Sequence, residues 1–368
     1  MTKFIQLHAL TVYAPSNLNR DDTGRPKTAK FGGAERLRIS SQALKRAIRT
    51  SANFKDRLAG NLGERTQRLG DFISAHLRKN NVDDAKALEI ARLVAGAFGK
   101  IEDAKDKPQT YIKQLAFVSP EERIAAFELA DKLVAEGADA LKDVKSSDLA
   151  AKLLRRADTA ADIAMFGRML ADNPDFNREA AVQVAHAITT HKVVVEDDYY
   201  TAVDDLKTSA EDAGAGFIGE LGFGSGVFYL YACIDRELLL RNLGGDPALA
   251  RKAIEAFVEG FAKARPSGKQ NSFAALALAN YLRVEKGAQQ PRSLAAAFFK
   301  PIWGDDLLAK SVEALEGDDR KGGLIAQMDT VYGACIEDSR TMRVIPGRPW
   351  DHAHDHTLEQ IVAFAAGE

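Results

Sequence analysis

Two cysteines in 368 residues, Cys233 and Cys335, are too few for a disulfide framework and form no CxxC pair, which argues against thiolate zinc sites and dithiol redox chemistry. No stretch approaches the ~18 consecutive apolar residues that a membrane-spanning helix needs. The opening Met1-Thr-Lys-Phe-Ile-Gln-Leu-His8 places a polar residue at nearly every second position, so no secretion signal is read, the cytoplasm is the expected compartment and no membrane partner is expected. The histidines are few and scattered, and no Ser/His/Asp or Cys/His nucleophile can be assembled from them. Gly268-Lys269 lacks a glycine five residues upstream and is followed by Gln, which rejects a Walker-type phosphate loop. Internal repeats and low-complexity tracts are absent, and no cofactor is expected.

What the chain does have is segregated charge. The formal net charge is −2, yet the stretch from Arg20 to Arg49 holds nine basic residues (Arg20, Arg25, Lys27, Lys30, Arg36, Arg38, Lys45, Arg46, Arg49) against Asp21, Asp22 and Glu35, a local +6 that leaves −8 on the remainder. A hydrophobic content of 46% at this length can fill one large domain with insertions, or two domains.

Phe4 to Tyr13 reads as a strand closed by Pro15-Ser16-Asn17, and the polar, Gly-rich run Asn19 to Gly33 reads as a long functional loop. Ser40 or Ser41 can cap a helix whose apolar or small face is Leu44, Ala47, Ile48 and Ser51. From about Leu58 to Asn173 apolar stripes recur at helical spacing, punctuated by the capping box Ser119-Pro-Glu-Glu122 and an acidic variant at Thr159-Ala-Ala-Asp162. A further helix is expected near Arg178 to Thr190. Val193 to Gly226, with eight acids, one Lys and six glycines, reads as a long mobile excursion. Val227 to Asp235 then returns to strand, Pro247 to Lys263 to helix, Ala274 to Val284 to strand and Leu307 to Leu315 to helix, before a last helix opened by Thr357-Leu-Glu-Gln360. The order is that of an α+β fold.

Gln42, Lys45, Arg46 and Arg49 fall on the face opposite Leu44 and Ile48 with no interleaved acid, which suits phosphates along a strand; a solvated helix face is the alternative. Asp21 and Asp22 suit either turn capping beside Gly24, which the spacing favours, or a divalent ion in a phosphodiesterase site. His352, His354 and His356 alternate and could bind zinc or nickel if extended, but a solvated loop is the favoured reading and no metal is assigned. Tyr199 and Tyr200, inside the acidic excursion, either anchor it or offer stacking faces to bases; unaided, anchoring is favoured.

The strings Asn17-Leu-Asn-Arg-Asp-Asp-Thr-Gly-Arg-Pro-Lys27 and Gly32-Gly-Ala-Glu-Arg-Leu-Arg-Ile-Ser-Ser-Gln-Ala-Leu-Lys-Arg46 resemble the N-terminal signature of the backbone subunits of type I-E CRISPR Cascade, the CasC group of the Cas-seven family. Phe166-Gly-Arg-Met-Leu170, Tyr200-Thr-Ala-Val-Asp-Asp-Leu206, Ser225-Gly-Val-Phe-Tyr229 and Pro266-Ser-Gly-Lys-Gln-Asn271 resemble the same family in the same order. The resemblance implies an RRM-like (ferredoxin-like) palm from residues 1–57 and 181–368, a helical fingers insertion at 58–180 and a protruding thumb loop at 193–224. It also implies a non-catalytic protein. Copies of it, six in each complex, would stack along a guide RNA (crRNA) beside other Cascade subunits, displace bases at intervals and present the rest to a target DNA strand. Carried over to this chain, Arg20, Lys27, Ser40, Gln42, Lys45 and Arg49, with Arg46 beside them, match guide-contacting palm positions. Tyr199, Tyr200, Thr201 and Val203 match the thumb, and Met165 and Phe166 the finger-side platform; this reverses the unaided preference for anchoring. Two alternatives stay open. One is a type III-like relative cleaving target RNA through Asp21 or Asp22, and the other is an assembly protein without nucleic acid.

Overall fold

The computed structural model describes residues 3–104, 106–137, 146–202, 217–318, 321–333 and 336–367. Val203 and Cys335 therefore lie outside the described residues. Among the described residues, no helix is long and apolar enough to cross a membrane. The architecture is mixed α+β, and the chain divides into two compact units.

Unit 1 combines Met1–Phe54, Val184–Ile234 and Ile254–Glu368. Its centre is β1 (Phe4–Ser16), in which Ile5, Leu7 and Ala9 alternate with Gln6, His8 and Leu10, and all six are buried. Burial on both faces forces a central position in the sheet. β1 pairs antiparallel with Ala279–Gly287, from Phe4 opposite Gly287 to Leu10 opposite Tyr281. The sheet runs Asp338–Arg343, Ala279–Gly287, β1, Phe217–Asp235, Ala187–Thr189, Ala34–Ile39, Thr28–Phe31. A core of Leu10, Tyr229, Tyr281, Phe298, Leu308, Val312 and Leu315 fills one side of it.

The strand expected from Ala274 starts only at Ala279, and three stretches of unit 1 differ in kind from the sequence expectation. The long loop ends at Thr28, where β2 (Thr28–Phe31) and β3 (Ala34–Ile39) form a hairpin through Gly32-Gly33, both at positive φ (+60° and +75°). Such a two-residue turn matches the right-handed twist of the strands it joins, and glycine adopts it without strain. The helix expected near Arg178 to Thr190 is replaced by strand at Ala187–Thr189, where Ile188 and Thr189 pair with Tyr229 and Phe228. The excursion from Val193 is an antiparallel ribbon in its described part: Glu196–Ala202 lies against Phe217–Phe223, with Tyr199 opposite Glu220 and Tyr200 opposite Gly219.

Unit 2, Lys55–Gln183 with Asp235–Ala253, is mainly helical. Leu69–Lys79, Asp84–Ala95, Pro120–Glu136 and Ser146–Leu153 enclose Leu69, Ile73, Leu77, Ile90, Val94 and Leu133. The Ser119 capping box forms, Ser119 Oγ accepting from Glu122 N at 3.1 Å and Glu122 Oε2 from Ser119 N at 3.0 Å. The box at Thr159 does not: the helix Ala161–Phe166 is preceded by Ala160, and Asp162 accepts from Gly63 N instead. Glu122 also binds the buried guanidinium of Arg168 at 2.6 Å. Removing one partner of such a pair costs about 3–5 kcal/mol, because a buried charge is left uncompensated.

A polar network crosses the core of unit 1. The Tyr229 hydroxyl accepts from Leu294 N at 2.9 Å and so turns its own hydrogen to His8 Nδ1, also at 2.9 Å. That leaves His8 Nε2 as the protonated nitrogen, 3.5 Å from Glu285 Oε2. Burial pushes His8 below its ordinary value. Burial alone would raise Glu285, but the His8 N–H and the Arg283 guanidinium outweigh it and hold the carboxyl at about 2. Both groups bind fewer protons folded than unfolded, so stability decreases as the pH is lowered. The His8 part is lost as pH drops below 6.5, and the Glu285 part between 4.5 and about 2. A His8→Gln chain should melt lower than the parent at neutral pH and show a flatter melting curve against pH between roughly 6.5 and 5. A constant gap between the two over that range would refute the assignment.

Candidate nucleic-acid interface

The basic segment is positioned by two asparagines. Asn17 is fully buried, and its Nδ2 donates to Gly24 O and to Gly222 O, each at 2.9 Å. Asn19 accepts from Ser40 N through Oδ1 at 2.8 Å and from Lys27 N through its carbonyl at 2.8 Å. The loop between β1 and β2 is thereby held to the ribbon strand on one side and to the start of helix α1 (Ser41–Thr50) on the other. Ser40 caps α1, its Oγ accepting from Ala43 N at 3.3 Å.

Leu44 and Ile48 are buried under α1, Gln42 and Arg46 are exposed, and Lys45 and Arg49 are half-buried. Among the described residues, no carboxylate pairs with Lys45 or Arg46. Partial burial pushes the Lys45 ammonium below its ordinary pKa, so an approaching phosphate would restore to it what desolvation removes. Arg20 is exposed and Lys27 half-buried, on the same loop. Arg36, counted with the basic patch in the sequence, is instead fully buried and donates to the carbonyls of Phe31, Thr189 and Phe298. It is a clamp between strands rather than a surface cation.

An open cleft of about 850 Å³ lies beside α1, lined by Asn19, Arg20, Arg46, Thr50, Asn53 and the segment Lys263–Gly268 with Gln270. Arg265 and Lys263 bring two further cations to it. Gly268 is pressed against Leu18, whose carbonyl occupies the place of any added Cβ. Lys269, at φ +49°, sits in the left-handed region that non-glycine residues seldom adopt. Nothing in the spacing of this stretch, which is neither a nucleotide loop nor a regular element in sequence, announces that it folds back onto Leu18.

Asp21 is spent on the turn. Its Oδ1 accepts from Thr23 N, Thr23 Oγ1 and Arg25 N at 2.8 to 3.0 Å, and the Thr23 hydroxyl is the main cause of its lowered pKa. Asp22 is exposed. The histidines near the end are not extended: His354 Nδ1 lies 2.8 Å from Asp351, and His356 Nδ1 contacts the Thr341 carbonyl. Among the described residues no cluster of His, Cys, Asp or Glu is arranged to hold a metal ion.

In the ribbon, Tyr199 is 65% exposed, Tyr200 45% and Thr201 exposed as well. Neighbouring strand residues point to opposite faces, so the two tyrosines do not form one stacking surface. The Tyr200 ring lies across Gly219, where a Cβ would come within 2.5 Å of it, whereas Tyr199 and Thr201 share the other face. The ribbon's acidity is answered partly within the chain, Asp197 pairing with Arg25 at 3.0 Å. In unit 2, Met165 is fully buried and offers no surface, Phe166 is half-buried, and Met169 is 79% exposed. Nothing in the sequence announces an exposed Met169, since its neighbour Arg168 is the one that is buried.

These features define a class: an α+β protein whose large antiparallel sheet carries a cation-lined cleft and a projecting ribbon beside it. More particularly, the chain belongs to the CT1975-like protein family, whose model matches residues 5–356. No curated protein matches it in sequence. It is similar to a chain of a solved CRISPR RNA-guided surveillance complex, pre-nicking, with 30% identity over 99% of each chain and a TM-score of 0.84. It is also similar to a chain of another CRISPR RNA-guided surveillance complex, with 27% identity over 99% of this chain and 100% of that one and a TM-score of 0.73.

Asn17→Ala removes two buried donors and should cost about 2 kcal/mol or more while loosening the loop. Trypsin should then cut after Arg20 or Lys27 faster than in the parent chain, Arg25 being protected by the proline that follows it. Unchanged cleavage would show that the loop is held by other contacts.

Proposed function

We propose that this chain is a non-catalytic, guide-RNA-binding backbone subunit of a CRISPR surveillance complex, of the type I-E Cascade kind that its N-terminal strings resemble. The observation that carries the reading is the face of α1, where Gln42, Lys45 and Arg46 stand without a carboxylate partner among the described residues and adjoin the cleft of Arg20 and Arg265. Membership of the family and the likeness to two surveillance-complex chains support a nucleic-acid partner for that face. In this reading Arg20, Lys27, Ser40, Gln42, Lys45, Arg46 and Arg49 grip successive phosphates. Copies stack along the guide on RRM-like palms, each ribbon displaces a base of its neighbour's stretch, and the remaining bases pair with target DNA.

Such a division of labour needs no base-specific contact from the protein, since pairing reads the sequence. Partial desolvation of Lys45 favours a fixed phosphate over mobile counterions. No observation favours the cleaving alternative: Asp21 Oδ1 is engaged by three hydrogen bonds of its own turn, and Asp22 is simply exposed.

Replacing Lys45, Arg46 and Arg49 together by alanine should reduce the slope of log K against log salt for single-stranded guide RNA by about 2 units, at ~0.7 per phosphate contact. Bound complementary RNA should stay intact in Mg²⁺. An unchanged slope would remove α1 from the interface, and cleavage lost in Asp21→Ala would move the protein to the catalytic class.

The two tyrosines should separate. Tyr199→Ala should leave the melting temperature unchanged and weaken assembly on guide RNA, with ~1–3 kcal/mol for each base stacked. Tyr200→Ala, which uncovers Gly219, should destabilise the ribbon itself. If Tyr199→Ala assembles as well as the parent, the ribbon displaces bases without it.

A further inference from the structure

The cleft beside α1 contains two polar atoms that its cations do not explain. Gln270 donates through Nε2 to Pro266 O at 3.0 Å and to Ala275 O at 3.3 Å. Two carbonyl acceptors fix the orientation of that amide, so the atom left over is the acceptor Oε1, which is buried without a partner. Asn53 lines the same cleft, and its Nδ2 is buried and has no partner among the described residues. A buried donor or acceptor left unmade costs more than a typical hydrogen bond returns, so each such atom calls for an explanation, and in a cleft lined by cations a ligand is one.

One free acceptor and one free donor in the same cleft call for a group that both donates and accepts. A phosphate oxygen only accepts, and Gln270 Oε1 would repel it. We infer that Gln270 and Asn53 form a sugar-reading subsite that takes the 2′-hydroxyl of a ribonucleotide and so separates RNA from DNA on this chain. The inference rests on the guide-binding reading above and goes further, since phosphate contacts alone hold both kinds of strand. The rim cations Arg20, Arg46 and Arg265 would hold the flanking phosphates, which brings the intervening ribose to the cleft. The left-handed Lys269 keeps Gln270 turned inward, the kind of stored strain that accumulates at binding loops. A 2′-hydroxyl is the one backbone group with this pair of functions, and deoxyribose lacks it.

The test compares oligo-rU, oligo-dU and 2′-fluoro oligo-U of equal length by fluorescence anisotropy, so that base and charge stay constant. The full chain should prefer rU over dU by about five- to tenfold, a hydrogen bond or two. The 2′-fluoro strand, which cannot donate, should bind close to dU, a readout that needs no change in the protein. Gln270→Met and Asn53→Ala should each weaken rU while leaving dU and the salt slope as they were. Equal loss for rU and dU, or a preference the two variants do not alter, overturns the subsite and leaves guide binding standing. A base-edge ligand would reveal itself as a preference that follows a change from U to A rather than from ribose to deoxyribose, and it too overturns the sugar assignment. If the parent chain binds neither strand, the guide-binding reading itself falls and the subsite with it.

Discussion

The side-chain amide of Asn17, itself fully buried, joins two carbonyls 198 residues apart in sequence, Gly24 and Gly222. Everything that faces a ligand in unit 1 is referenced to that join. Through Gly24 it sets the turn that Asp21 closes, and through Gly222 it seats the loop against the ribbon strand. Asn19, two residues on, then receives Ser40 N and aims α1. A buried amide nitrogen is costly unless satisfied, and with both hydrogens bonded it permits one arrangement and excludes its neighbours.

Charge alone does not decide a residue's role here. Arg36 and Arg46 are ten positions apart in one basic run, and their surroundings divide them. Arg36 falls on a strand face that the chain covers, where three carbonyls satisfy its guanidinium and burial alone lowers its pKa. Arg46 falls on the open side of an amphipathic helix. The same contrast separates Lys45, half-desolvated and without an acid, from Arg25, which pairs with Asp197. The surface left for a polyanion is smaller than the count of cations suggests, and it is extended by Lys263 and Arg265 from a remote part of the chain.

Geometry likewise reorders the aromatics. Two adjacent tyrosines in a flexible loop could turn to one side together; in a paired strand the pleat sends them apart. Tyr200 is then committed to its own ribbon by the absence of a side chain at Gly219, and Tyr199 is left as the outward one.

Local signals were legible without coordinates: the central strand from its apolar content, α1 from its capping serine and 3.6-residue face, and the boxes at Ser119 and Thr357 from their spacing. These depend on neighbours within four residues, and the sequence carries such neighbours directly. The acid-free face of α1 was legible for the same reason. What tertiary structure alone decided is which polar groups are buried and with whom. The helix expected near Arg178 to Thr190 yielded to a strand because Ala187–Thr189 fits between two others, and pairing with Tyr229 and Phe228 on one side and Arg38 and Ile39 on the other outweighs local propensity. The ribbon, the burial of Met165 and Arg36, and the return of Gln270 to the cleft of Asn53 all depend on contacts between residues tens to hundreds of positions apart. No periodicity encodes such contacts, because they are set by the register of a sheet whose strands come from both ends of the chain.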